Sequence, residues 1–263
     1  MAEPLLIERA GPVLRLRLNR PQLHNAFDPV LIAVLTAELH VASGDPDVRV
    51  VVLEGEGPSF SAGADLHWMG GMAAASEDAN REDALALARL MRTLDELPRP
   101  TIARVHGPAF GGGVGLVACC DIAIGTPQAR FGLTESRLGL LPAVISPYVV
   151  AAIGPRQARR WFASAEAFDA DAALRYGLLH QVVAADALDA AVAAQVALLC
   201  RAAPHAAAAA KALVRQVAGG TGDTARLDHA NADLIARLRV SPEGQEGIAA
   251  FLGKRAPAWA PGE

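Results

Sequence analysis

Cysteine is scarce. Three occur in 263 residues, an odd number with two of them adjacent (Cys119, Cys120 and Cys200). That excludes a disulfide framework and leaves no paired-cysteine metal spacing, and it fits a reducing, cytoplasmic setting. Runs of Lys and Arg are also missing: 24 basic residues against 28 acidic ones leave a net charge of −4. A broad electrostatic footprint for nucleic acid or an anionic membrane is therefore not expected. The start, MAEPLLIERAGP, has no basic region ahead of an apolar run, so it does not read as a secretory signal. Only one long uncharged stretch occurs, Leu138 to Pro155, and it holds Pro142, Pro147 and Pro155 between Arg137 and Arg156. Those prolines predict a buried turn and helix rather than a membrane span.

What is present is helix-forming methyl. Of 56 alanines, 35 follow residue 150, so much of the 52% hydrophobic fraction is not bulky core. A chain of this length makes one large domain, or one with a small appendage, at roughly 150 residues per domain. Val13 to Asn19 alternates apolar with polar, the period of a half-buried strand, and Gly11-Pro12 turns it back on Leu5-Leu6-Ile7 as a hairpin. Asp28-Pro29 reads as an N-cap with proline at the first helical position, opening a helix to about His40. Arg49 to Leu53 is a continuous apolar run suited to a strand covered on both faces.

A strand, a glycine-bearing loop and a helix then occur twice. The first loop runs through Ser59 to Leu66, with helical spacing over residues 81–97. The second follows the strand Thr101 to Val105, runs from His106 to Gly113 and enters a short apolar helix to Cys120. Asp121 to Ile124 is another strand. Repetition of this kind argues for an α/β architecture. After about residue 156 helices dominate: Arg156 to Phe162, Asp169 to Tyr176 closed by Gly177, Leu188 to Arg201, one opened by Pro204, residues 224–239, and a last one capped by Ser241-Pro242. His180 to Val183 is the only strand candidate there. A boundary near residue 195 separates the expected core from a helical tail.

Several chemistries fail on spacing. Gly113 to Ala118 formally fits a dinucleotide fingerprint, but the next strand ends Ile124-Gly125-Thr126 without the required carboxylate. A P-loop fails because Gly247 stands one residue too far from Gly253-Lys254. Ser59 to Gly63 lacks the first glycine of a nucleophile elbow, and no metal-binding His or Cys pattern exists. His24 and His106 precede turn or glycine-rich segments and read as structural rather than catalytic. The two glycine loops together suggest more. Each bares backbone N–H groups where a strand gives way to a helix, and two such loops face to face would give two donors to one oxygen, an oxyanion hole.

Six segments in order carry a resemblance. They are Asn19-Arg20-Pro21…Asn25-Ala26; Phe60 to Leu66; His106-Gly107…Gly111-Gly112-Gly113; Phe131 to Glu135; Leu138 to Pro142; and Ala167 to Ala170…Gly177-Leu178. From about Leu5 to Trp259 the chain resembles the enoyl-CoA hydratase/isomerase (crotonase) superfamily. Its Gly113 to Ile122 and Leu140 to Pro147 segments look most like the bacterial methylglutaconyl-CoA hydratase-like branch. The resemblance implies an α/β fold: a crotonase-like spiral of repeated ββα units over residues 1–195, and a helical trimerisation region over 196–263. It also implies a homotrimer or dimer of trimers acting on an acyl-CoA. No metal or redox cofactor is expected, since the CoA thioester is itself the substrate.

The same resemblance assigns roles. Ala64 and Gly112 match the positions whose amides hold the thioester oxygen, and Glu135 matches a catalytic glutamate. His24, Ala26, Ala62, Asp65, Leu66, Phe110, Gly113 and Thr134 fall on the segments that bind CoA and substrate. Phe251 and Lys254 match a C-terminal stretch that reaches a neighbouring subunit's CoA. One departure stands out: Gly115 lies where many family hydratases carry a second glutamate. The reading favours hydration with a single carboxylate, with double-bond isomerisation as the alternative. A catalytically silent acyl-CoA-binding or RNA-binding member is the rival from another class. Arg137, beside Glu135, is a candidate cation for a substrate with a distal carboxylate.

Overall fold

A computed structural model describes residues 3–220 and 223–260. The expected hairpin forms from β1 (Leu5–Ala10) and β2 (Val13–Leu18), antiparallel, with Gly11 at φ 58° in the turn. Leu14, Leu16 and Leu18 point into the core, as the alternation requires. Helix α1 (Pro29–Gly44) starts where Asp28 accepts a hydrogen bond from Leu31 N at 2.8 Å. It returns the chain to β3 (Val50–Gly55), parallel to β2 and buried on both faces.

Helices α2 (Leu66–Met72) and α3 (Glu77–Asp95) lead to β4 (Thr101–Val105). The short β5 (Ala109–Phe110) precedes α4 (Gly112–Cys119), followed by β6 (Ile122–Gly125) and β7 (Arg130–Gly132). Next come α5 (Ser146–Ser164), β8 (Phe168–Asp169), α6 (Ala170–Arg175) and β9 (Gln181–Val182). Helices α7 (Leu188–Arg201), α8 (Pro204–Ala218), α9 (Thr224–Val240) and α10 (Pro242–Leu252) end the described chain.

Six strands form one sheet in the order β1-β2-β3-β4-β6-β9, parallel from β2 onward, while β5, β7 and β8 form a second small sheet. The main core lies on the sheet face covered by α1, α3, α4 and α5, with Leu16, Leu53, Leu35, Leu90, Met91, Leu116 and Trp161 all buried. Val50, Val52, Ile102 and Ile124 on the opposite face pack against Leu188, Val192 and Cys200 of α7. Residue 195, the expected division, thus lies inside a helix that belongs to the sheet. After Arg201, α8 and α9 bury none of their described residues within the chain.

Three expectations need correction. Helix α3 starts four residues before 81, because the Ser76 hydroxyl caps Ala79 N at 3.2 Å. Helix α5 starts at Ser146 and breaks at Gly154 (φ 75°) ahead of Pro155, so the prolines do set a turn and helix. That turn is buried only in part: Pro142 and Ile145 are buried, but Leu138, Leu140 and Leu141 are 58%, 51% and 70% exposed. No single helix among the described residues is long and apolar enough to cross a membrane.

Candidate active site

The site begins in a loop. His24 and Asn25 both take positive φ (51° and 55°), which turns the chain sharply after β2. Asn25 is fully buried and acts as a brace: its Nδ2 donates to Glu56 O and Ser59 O at 2.8 Å, and its Oδ1 accepts from Arg20 N at 2.9 Å. The Ser61 hydroxyl donates to Asn25 O at 2.9 Å and accepts from Gly63 N at 3.2 Å. These bonds hold residues 24–28 alongside residues 59–65.

Phe27 then forms an isolated parallel bridge with Ala64. Phe27 N donates to Gly63 O at 2.6 Å and Asp65 N donates to Phe27 O at 2.8 Å. The bridge therefore uses the groups on either side of Ala64, and the Ala64 N–H has no acceptor among the described residues. The second loop runs beside the first: Phe110 N donates to Ser61 O at 2.9 Å, and Gly111 N to Gly132 O at 2.8 Å. Gly111 takes φ 48° and opens α4, so the Gly112 N–H, in the first turn, also lacks a described acceptor.

The two loops nearly touch. A Cβ placed on Gly63 would stand 3.1 Å from Gly112 N, and one placed on Gly113 would stand only 2.4 Å from Ser61 O. Only glycine permits that approach. Ala64 and Gly112, the two residues with free amides, line a cavity of about 470 Å³ together with Thr134 and Glu135.

Glu135 starts a 3-10 turn, Glu135–Leu138, and a Cβ added to Gly111 would come 3.0 Å from its Oε1. Its Oε2 is buried without a hydrogen-bond partner among the described residues. Burial pushes the carboxyl pKa above its usual value, opposed only by a bond from its own backbone amide. The remaining walls are apolar and include Leu66 and Met69 from α2, Leu87 from α3 and the stretch Leu138–Ile145. The exposed leucines of that turn thus form one side of the cavity.

Of the expected site residues, Ala62, Ala64, Leu66, Gly112, Thr134 and Glu135 line the cavity. His24, Ala26, Asp65, Phe110 and Gly113 stand behind it as scaffold. The His24 ring bonds Ser59 Oγ at 2.9 Å while its carbonyl accepts from Ala62 N at 2.8 Å. Asp65 caps α2, accepting from His67 N at 2.9 Å. His106 holds Gly57 O at 2.8 Å, outside the cavity. Phe251, 83% exposed, and Lys254 lie at the far end of α10 and do not reach this cavity. Arg137 is exposed and does not line it either. At Gly115 a Cβ would stand 2.3 Å from Ile145 Cγ2 and 3.2 Å from Met91 Cε, so apolar side chains fill the space a second acid would need. The sequence assigns no role to Asn25, Ser61 or Arg20, although an Asn and an Arg flanking a turn are both signals of a braced loop.

The match to known proteins covers almost all of this frame. Residues 8–262 fit the family model for enoyl-CoA hydratase/isomerase. The chain belongs to that family. A 2,3-dehydroadipyl-CoA hydratase of Escherichia coli K12 is 34% identical over 260 residues, covering 96% of this chain and 97% of the relative. The crystal structure of an enoyl-CoA hydratase from Shewanella pealeana superposes with a TM-score of 0.94 at 44% identity, covering 98% of this chain and 96% of that one. Pseudomonas aeruginosa AtuE gives a TM-score of 0.94 at 41% identity, with 98% and 100% covered. These matches bear out the crotonase-type α/β fold and an enzyme of the enoyl-CoA hydratase/isomerase family.

Proposed function

We propose that this family member adds water reversibly across the α,β double bond of an acyl-CoA thioester. One observation carries the reading: two residues on adjacent loops whose amides have no acceptor among the described residues line a cavity in which Glu135 is the one carboxylate among them. The Glu135 carboxylate takes a proton from water as the water oxygen bonds the β-carbon. The double-bond electrons move toward the thioester, whose oxygen becomes an enolate held by Ala64 N–H and Gly112 N–H. Protonated Glu135 then returns a proton to the α-carbon, restoring the carboxylate. The dipole of α4 adds to the Gly112 donor. The thioester itself accepts the electron pair, so this chemistry calls on no further cofactor.

CoA would lie along residues 24–26 and 62–66, with Phe251 and Lys254 supplied by another copy of the chain in a cytoplasmic trimer or dimer of trimers. The unburied α8 and α9, with exposed Val214, Val217 and Ile235, support that assembly. A second reading, double-bond isomerisation, is favoured by the filled space at Gly115, because one carboxylate suffices to carry a proton between carbons.

Three substrates separate the readings: crotonyl-CoA, a 3-enoyl-CoA and methylglutaconyl-CoA, with products identified by mass. Hydration of crotonyl-CoA is the expected result. A shift of the double bond without water uptake would make the protein an isomerase, and no turnover of any of the three would make it a silent binder.

The acyl end of the cavity supports an apolar substituent. Among the described residues Glu135 is the only ionisable side chain lining it, so a distal carboxylate there would meet no counter-cation from them and would lie beside a like charge. Arg137 stands outside the cavity. We therefore expect Arg137→Ala to leave the ratio of kcat/KM for methylglutaconyl-CoA and crotonyl-CoA unchanged within about twofold, as an exposed side chain with no described partner should. A selective loss on the acidic substrate would place Arg137 at the acyl end after all.

A further inference from the structure

We propose that Arg20 is a positioning residue that sets the direction of the Ala64 amide, an inference that rests on that amide receiving the thioester oxygen. The bridge between Phe27 and Ala64 consists of two hydrogen bonds and belongs to neither sheet; the pairing of its segment with β5 ends at Ser61, three residues before Ala64. Downstream, α2 buries none of its seven residues, so the core does not hold the chain that leaves Ala64. What does hold it is a cap and an ion pair.

The Arg20 guanidinium, 14% exposed, lies under the bridge and grips both of its strands. Nη1 donates to Ala26 O at 2.5 Å, while Nη2 meets Asp28 Oδ2 at 3.0 Å and Asp65 Oδ2 at 2.9 Å. Asp28 caps α1 and Asp65 caps α2, so one planar cation ties together the residues that flank Phe27 and the residue that follows Ala64. Among the described residues, the other side-chain hydrogen bonds between α2 and the body, Trp68 Nε1 to Asp83 Oδ1 at 3.1 Å and Asn80 Nδ2 to Met72 O at 2.8 Å, are exposed. Without Arg20, two carboxylates would face each other across the bridge uncompensated. A lysine keeps the charge but presents a single nitrogen where the fork now serves three acceptors.

The test uses Arg20→Met, Arg20→Lys and Asp65→Asn in the full chain. It measures kcat and KM for crotonyl-CoA, thermal unfolding, and the carbonyl stretch of a bound conjugated enoyl thioester by Raman difference spectroscopy. A displaced donor predicts a fall in kcat of about 10- to 10²-fold in Arg20→Met, with KM held within about threefold. The bound carbonyl should return toward its frequency in water, and Arg20→Lys should recover part of both losses. Asp65→Asn keeps an oxygen to cap α2 yet loses the ion pair; it should show the same pattern, and the double variant should be no worse than Arg20→Met alone.

Normal kcat and an unmoved carbonyl band, with only a lower Tm, would overturn the proposal and leave Arg20 a structural clamp. If Arg20→Met does not fold, Asp65→Asn decides by the same readouts. A wild-type protein that leaves the bound carbonyl unpolarised would instead remove the underlying reading of Ala64.

Discussion

Replacing Glu135 with Gln is expected to lower kcat by about 10²- to 10⁴-fold while leaving the fold at least as stable as before. Gln keeps the size and the position beside Gly111 but can neither take a proton from water nor return one to carbon. The stability half follows from the same burial. Because the folded-state pKa is raised, the native protein holds this proton more tightly than the unfolded chain does. Stability from this group is present below the ordinary carboxyl value and is lost as pH rises through the raised one. At neutral pH the ionised carboxylate is thus a cost, and Gln removes it. Steady-state kinetics and thermal unfolding at pH 7 check both halves. For the unmodified protein, the acid limb of kcat/KM for hydration should fall above the usual carboxylate range, since the base must be ionised. Turnover of Glu135→Gln within threefold of the original would end the assignment.

Gly113→Ala should damage activity and stability together. Its new Cβ would stand 2.4 Å from a main-chain oxygen, Ser61 O, which cannot rotate away as a side-chain tip could. Either α4 recoils or the 61–65 loop does, and both motions separate the Ala64 and Gly112 amides. Overpacking of this kind costs about 1–3 kcal/mol. Misplacing one of two oxyanion donors costs about 10²- to 10³-fold in kcat. Gly44→Ala is the control, because a Cβ there meets nothing within 4 Å. Denaturant unfolding and crotonyl-CoA hydration measure the two effects. A Gly113→Ala protein with normal kcat would mean that the close approach of the two loops has no part in catalysis.

The features legible in the amino acids are those decided within a few residues. The β2 alternation, the unbroken apolar β3, the Asp28-Pro29 start of α1 and the Gly177 stop after α6 all appear where the pattern places them. Backbone sterics and the nearest side chains suffice for these. Helix α2 is not marked in the sequence because it has only seven residues and holds the poor helix formers Gly70 and Gly71, while β5 and β8, two residues each, are too short to carry a period. The glycine loops and Glu135 could be picked out because each sits in a distinctive local run.

Their meeting could not. Residues 26–28, 62–65, 110–113 and 135 come from four separated stretches, and they converge only because parallel strand pairing sets the register of one loop against the next. Tertiary packing alone decided that Arg20 spans 45 residues to reach Asp65. It likewise put Ile145 into the space beside Gly115 and left Leu138 to Leu141 on the surface as a cavity wall. Local chemistry chose the parts; the long-range register of the sheet, which no short window of sequence contains, chose which of them face one another.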